Sequence, residues 1–484
     1  MAEKMRWLTR SLWLGGIVLL VWISVVVYWQ STARSPSEAD LLIYMALLPL
    51  LVAGAAWGVY KVVFQPKPLT AETTGAPTNQ AATKAMEQAA MREQAEREWT
   101  LNIVATSLHT SSGKSASEVL TNLLAGKIEP ALDPELKNPD GFPVFSARIA
   151  DLDTADLQET LAEWQKACGQ TDVVWSESQY RALHLASESL RELAGQVAMH
   201  SGLQQYLQHK EEGRTVNDEM VIPLRLIAYW PGHWPAEKQS TASSWAKSLV
   251  AAEGWPESRI LLQESVADRS DPIASLDRVN VGANKNQLPT VGLLVACDST
   301  IDQETVDSLA AAAHLFGGAN TRGVKPGELA AGLLFADSAQ SLLLGAGPFP
   351  VLHRASWASR EKSADERGRV SADLLGKLVD LALKSAGLDA STIKMVSSDN
   401  DHKPSRESEL AEMLNATLPD LDFGKDAIKV AQACGSMNHF TTVAALCVAH
   451  QYVVDEQAPA ICVSLQDPLM RTAVVLSPSM PQSA

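Results

Sequence analysis

Two uncharged apolar runs open the chain. Residues 11–29 (SLWLGGIVLLVWISVVVYW) carry no charge, enough for a helix to cross a hydrocarbon core of about 30 Å. A second run, 41–60, follows a short polar turn, 30–40, so the pattern predicts an antiparallel hairpin of two membrane-spanning helices. A cleavable signal peptide is the competing pattern, but the first run is too long for its apolar region and a second span follows. Tyr28, Trp29, Trp57 and Tyr60 fall near the ends of the runs, where amphipathic rings favour the interface. Lys4, Arg6 and Arg10 precede the hairpin, Lys61 and Lys67 follow it, and the turn holds only Arg34 as a cation. That asymmetry predicts both termini in the cytoplasm.

After the hairpin the periodicity lapses. Residues 65–80 (QPKPLTAETTGAPTNQ) read as a flexible tether, and 81–99 is a run of strong helix formers with interleaved charges, a solvated stalk or an association surface. From 101 onward short apolar runs alternate with amphipathic stretches. Strands are expected at 101–107, 221–230, 291–296, 329–335, 393–396, 461–465 and 472–476. Helices are expected at 115–125, 176–208, 241–253, 303–315, 370–386, 406–414 and 441–454. Apolar strands alternating with longer helices predict an α/β layered body with helices on both faces of the sheet. The expected domains are 1–64 (hairpin), 65–99 (linker and stalk), 100–340 and 341–484 (two halves of the body).

Composition narrows the function. With 40 Lys+Arg against 56 Asp+Glu the net charge is −16 and no basic block stands out, so a surface tracking nucleic-acid phosphates is not expected. The five cysteines, Cys168, Cys297, Cys434, Cys447 and Cys462, form no CxxC pair, which predicts neither a disulfide framework nor a structural zinc site. No GxGxxG or GxxxxGK[ST] follows a strand, and GxSxG and HExxH are absent; neither cofactor nor metal is expected.

The order of the body segments carries further information. LNIVATSLHTSSGKSASEVLTNLLAG (101–126) is a strand, a Gly-containing turn and a helix ending in Gly. VGLLVACDSTI (291–301) leads through a helix to VKPGELAAGLLFAD (324–337). SAGL, then IKMVSSDND with an acidic residue at Glu409, precede ACGSMNHFTTVAALCVAHQYVV (433–454). In this order the segments resemble the thiolase fold of the β-ketoacyl synthases over nearly all of 100–478, with two pseudo-repeated halves. The resemblance implies a layered α/β/α body and a homodimer. It also implies a cysteine nucleophile at a helix start between the 221 and 291 strands, where a helix dipole lowers a thiol pKa, and two histidines that stabilise the enolate and oxyanion.

The residues depart from that pattern. The 230–290 interval holds no cysteine. Cys297 in VACDST mimics the nucleophile box but stands late in the chain, and reads as a small buried residue at a strand end rather than a reactive thiol. His402 is the stand-in for the first histidine, or an exposed loop residue. At the second, Gly435-Ser436 replaces Gly-His, leaving His439 three residues on as a displaced imidazole or a helix-start residue. His109 and Cys434 lack an identifiable partner. Tyr229, Trp230, His233 and Trp234 in AYWPGHWP crowd a strand end, either as a packed loop or as an anchor for a protein partner. These departures predict a catalytically degenerate, non-enzymatic adaptor. Two N-terminal spans before such a body resemble the type VI secretion lipase-adaptor family, which implies a bacterial inner-membrane platform with a cytoplasmic body that loads a secreted effector. The alternative is a membrane-associated ketosynthase-like acyltransferase acting on acyl thioesters.

Overall fold

A computed structural model describes residues 94–479 apart from 129–130, 267–270, 319, 346, 367 and 438. The chain divides into Met1–Ala85 and Met86–Ala484. The expected hairpin, the linker and most of the stalk lie outside the described residues, of which 94–97 are helical. Among the described residues no helix is long and apolar enough to cross a membrane.

In chain order the elements are β1 (Leu101–Thr110), α1 (Ala116–Leu124), β2 (Ala131–Lys137), β3 (Pro143–Ser146), α2 (Ala155–Cys168), α3 (Glu177–Ala198), α4 (Ser201–Glu211), β4 (Leu224–Trp230), α5 (Ala236–Ala252), β5 (Ile260–Val266), α6 (Pro272–Asn286), β6 (Val291–Ser299), α7 (Gln303–Ala311) and β7 (Glu328–Ala336). They continue as α8 (Ser338–Leu344), β8 (Val351–Leu352), β9 (Ser356–Ser359), α9 (Asp373–Ala386), β10 (Met395–Ser398), α10 (Pro404–Thr417), β11 (Ala427–Lys429), α11 (Ala431–Cys434), α12 (His439–Glu456), β12 (Ala460–Ser464) and β13 (Met470–Ser477).

The main sheet runs β11-β10-β12-β13-β8-β1-β7-β6-β4-β5, with β9 on β13. Its two ends share one plan. β4 pairs in parallel with β5 and β6, and β6 antiparallel with β7. β10 pairs in parallel with β11 and β12, and β12 antiparallel with β13. The chain order is the same in both sets, so α6, after β5, and α12, after β11, occupy equivalent places. β1 and the two-residue β8 join the halves.

Alternation along the strands builds the layers. Leu224, Leu226, Ala228 and Trp230 of β4 face a core shared with α2 to α5, while Ile227 and Tyr229 face another shared with α1, α6 and α12. In β12, Ile461 and Val463 face α9 and α10, whereas Ala460 and Cys462 join the core of α1, α6 and α12. Those three helices thus fill one face of both halves. β6 and β7 are buried at every position, as expected for strands covered on both faces.

Local chemistry accounts for the departures from expectation. The helix expected over 176–208 is two: α3 starts on a Ser176/Gln179 capping box, and His200 stands between the helices, its ring accepting from the Gly202 amide at 3.2 Å to cap α4. β5, α6, α2 and the β2–β3 hairpin were not expected. Glu409, read as an acidic partner, is fully buried and takes both oxygens to Arg471 at 2.8 and 2.9 Å, with Arg360 at 2.8 Å. A second buried ion pair joins Glu328 of β7 to Arg181 of α3 at 2.8 and 2.6 Å.

Candidate functional site

The equivalent helices α6 and α12 pack together in the central core, and their starts carry the polar groups. Asp271 caps α6, with Pro272 in the first turn. Its Oδ1 accepts from the Ala274 amide at 3.0 Å and its Oδ2 from Thr472 of β13 at 2.9 Å. His439 begins α12 and sets Nε2 3.5 Å from Asp467 Oδ2. Asp399, at the end of β10, is fully buried. It accepts from Ser464 and Thr442 at 2.6 and 2.9 Å and from the Leu465 and Gln466 amides at 2.8 and 3.2 Å.

Burial alone would favour a neutral imidazole on His439. Its hydrogen bond to Asp467 and the charges of Asp271 and Asp399 outweigh that and raise its pKa. Burial likewise works against the Asp467 carboxylate, but His439 and the Met470 and Leu469 amides hold it well below the usual range. Asp399 moves the other way, raised by burial against its four donors. The arrangement favours the protonated form of a buried imidazole among carboxylates. Asn400 (both amide atoms), His439 Nδ1 and Gln466 Oε1 lack hydrogen-bond partners among the described residues, and unpaired buried polar atoms of this kind leave room for a bound water or ligand.

No thiol is placed to react here. Cys297 sits in β6 opposite Ala330, fully buried, and burial with the Asp298 charge pushes its thiol well up. Burial pushes Cys434 and Cys447 up to about 12. Cys462 lies closest in character to the site, and burial with the charges of Asp399 and Asp271 drives its thiol upward too. Cys168, at the end of α2, is the exposed cysteine.

His402 and His439 part company. His402 is half-buried rather than an exposed loop residue. It lies edge-on to Phe316 with centroids 4.9 Å apart, and lines a cavity of about 610 Å³ together with Thr110, Lys325, Gly435 and Ser436. Burial, and then the Lys325 charge, lower its pKa. Two glycines shape this wall: Gly435 (φ 78°) lies against Gly327, where any side chain would collide with the Cys434 carbonyl.

Of the two readings of the aromatic cluster, the burial of its rings favours the packed loop. Tyr229, Trp230 and Trp234 are at most 3% exposed. Tyr229 donates to Ser275 of α6 at 2.6 Å, Trp230 donates to Ser243 at 2.7 Å and stacks on Trp234, and Trp234 meets Trp175 edge-on. Alternation along β4 sends the first two rings into opposite cores; only His233 is exposed. His109, also buried, lies 3.3 Å from Glu192 and 3.8 Å from Glu188 on α3. Asp271, Asp399 and Asp467 escaped the sequence reading, although an Asp-Pro pair is a recognised helix-start signal.

No family model and no curated protein matches the chain. Solved structures do. A ketosynthase domain of oxazolomycin from Streptomyces albus shares 12% identity with TM-score 0.54, covering 80% of this chain and 75% of its own. The ishigamide ketosynthase/chain length factor shares 11% with TM-score 0.52, covering 78% and 99%. The ketosynthase from module 6 of the bacillaene synthase of Bacillus subtilis shares 10% with TM-score 0.52, covering 80% and 73%. The chain carries the thiolase-like fold of the ketosynthases.

Proposed function

We propose that the chain is a membrane-anchored, non-condensing thiolase-fold platform that holds a protein partner. One observation carries the reading: the start of α6, where the resemblance asks for a nucleophilic cysteine, bears Asp271, and the nearby Cys462 is surrounded by carboxylates that oppose a thiolate. Condensation needs a thiol whose thiolate is favoured, and burial with the charges of Asp399 and Asp271 opposes one at Cys462. The two N-terminal apolar runs supply the anchor, two-pass in a bacterial inner membrane with the body in the cytoplasm. Their combination with such a body resembles the type VI secretion lipase-adaptor family, so a secreted effector is the partner the reading names. A homodimer is part of the same reading.

The test is purification of the tagged full chain from host membranes in mild detergent. The reading expects membrane fractionation and one co-purifying protein, in constant ratio to the chain, encoded beside a secretion cluster. A chain recovered from the soluble fraction, or one purified alone that turns over acyl thioesters, overturns it. The second reading, a ketosynthase-like acyltransferase, draws support from the unpaired buried atoms of Asn400, His439 and Gln466, which a substrate would satisfy.

A further inference from the structure

The cavity lined by His402 lies apart from the carboxylates around His439; neither Asp271, Asp399 nor Asp467 lines it. Its wall reverses the charge of the chain. Against a net −16 overall, it presents Lys114, Lys127, Arg148 and Lys325, with Glu118 as the one facing carboxylate among the described residues. Two of these charges are already engaged. Arg148 is gripped by Asp133 at 2.9 and 3.1 Å and reaches Glu135 at 3.2 Å. Glu118 Oε2 accepts from the Lys114 amide at 2.9 Å.

Lys325 is different. Its ammonium stands 4.4 Å from the Phe316 ring centroid, and no carboxylate of the described residues forms an ion pair with it. Phe316 is itself fixed edge-on by Phe145 and His402, and the Lys325 backbone exchanges hydrogen bonds with Ser436 at 3.1 and 3.4 Å. Burial lowers the Lys325 pKa despite Asp401 and Glu407. A partly desolvated cation on a rigid platform, in no ion pair among the described residues, favours an incoming anion. Across the cavity the Thr110–Gly113 turn is closed by two backbone hydrogen bonds, so the opposite wall is preformed as well. A volume of about 610 Å³ lies in the range of small-molecule pockets.

We propose that this cavity binds a small phosphate-bearing molecule, with the dianion held between Lys325 and the exposed Lys114 and Lys127. A dianion matches a wall that presents, among the described residues, four cations and one carboxylate better than a monoanionic carboxylate does. The proposal is independent of the adaptor reading.

Pyridoxal 5′-phosphate is the probe, applied to the full chain in detergent. Its aldehyde carbon bonds to a neutral lysine Nζ with loss of water, and borohydride then delivers hydride to the imine carbon, fixing the adduct for peptide mapping. Modification is expected at Lys325, Lys114 or Lys127 at probe concentrations at least about tenfold below those that label the other lysines, the margin of one charge-assisted contact. Inorganic pyrophosphate should protect these sites, and pyridoxal without the phosphate should show a preference at least about tenfold weaker and unaffected by pyrophosphate. Lys325→Gln should weaken pyrophosphate binding by at least about tenfold in calorimetry. Where that variant fails to fold, the surface double variant Lys114→Gln/Lys127→Gln should show the same loss. Labelling that follows exposure across all lysines, or that pyrophosphate leaves unchanged, overturns the proposal.

Discussion

Replacing Asp271 with alanine removes two contacts at once. The Ala274 amide loses its acceptor at 3.0 Å and the Thr472 hydroxyl its acceptor at 2.9 Å. A lost N-cap costs about 1 kcal/mol, and a stranded buried donor costs about 1–3 kcal/mol, so Asp271→Ala should destabilise the body by about 2–4 kcal/mol. Asp271→Asn keeps a good cap and an acceptor for Thr472, and should stay within about 1 kcal/mol of the parent. What asparagine removes is the charge that helps hold the proton on His439. A histidine whose folded pKa is raised contributes stability that is complete below its unfolded value of about 6.5 and is lost as the pH rises through the folded value. In Asp271→Asn that loss should therefore be smaller and should end at a lower pH. Urea denaturation of the full chain in detergent, repeated between about pH 5 and 9, reads both effects. An alanine variant within about 0.5 kcal/mol of the parent, an asparagine variant as damaged as alanine, or an unchanged pH profile would refute the reasoning.

Trp230→Ala should cost about 3–5 kcal/mol, because the ring is 1% exposed and stacked in the core; an unchanged urea midpoint with loss of partner retention would restore the anchor. Glu409→Ala should cost about 3–5 kcal/mol by leaving Arg471 charged and buried, while the double variant Glu409→Leu/Arg471→Met should recover most of it. A double variant as unstable as the single would show that packing rather than the stranded charge sets the cost.

The body was legible where apolar runs were strong and the site where it was local. β6 and β7, buried throughout, stood out as VGLLVA and LAAGLLF. β5 did not, because Gln263, Glu264 and Ser265 break its apolar run at the edge of the sheet. α6 was hidden for the opposite reason: it is deeply buried, yet Ser275, Asp277 and Asn280 lie among its buried residues and blur the helical period. The two-residue β8 is set by its partners β1 and β13 alone. His439 was visible as an imidazole at a helix start, but Asp467 lies 28 residues downstream in sequence, so only the fold of α12 back onto β13 reveals the pair. The aromatic run 229–234 left two readings open because large rings at a strand end look alike whether they face a partner or a core. The absence of a cysteine between 230 and 290, by contrast, was evident from the sequence and becomes specific once Asp271 is seen at the helix start.

The most direct test of the central claim is intact-mass spectrometry of the full chain after incubation with an acyl thioester under conditions that fully acylate a ketosynthase. Cys168→Ser removes the exposed cysteine as a background site. The account predicts no acyl adduct, because Cys297, Cys434, Cys447 and Cys462 are buried with their thiols pushed up. A stoichiometric adduct mapped to any one of these four cysteines, or turnover abolished by His439→Ala in folded protein, would contradict it.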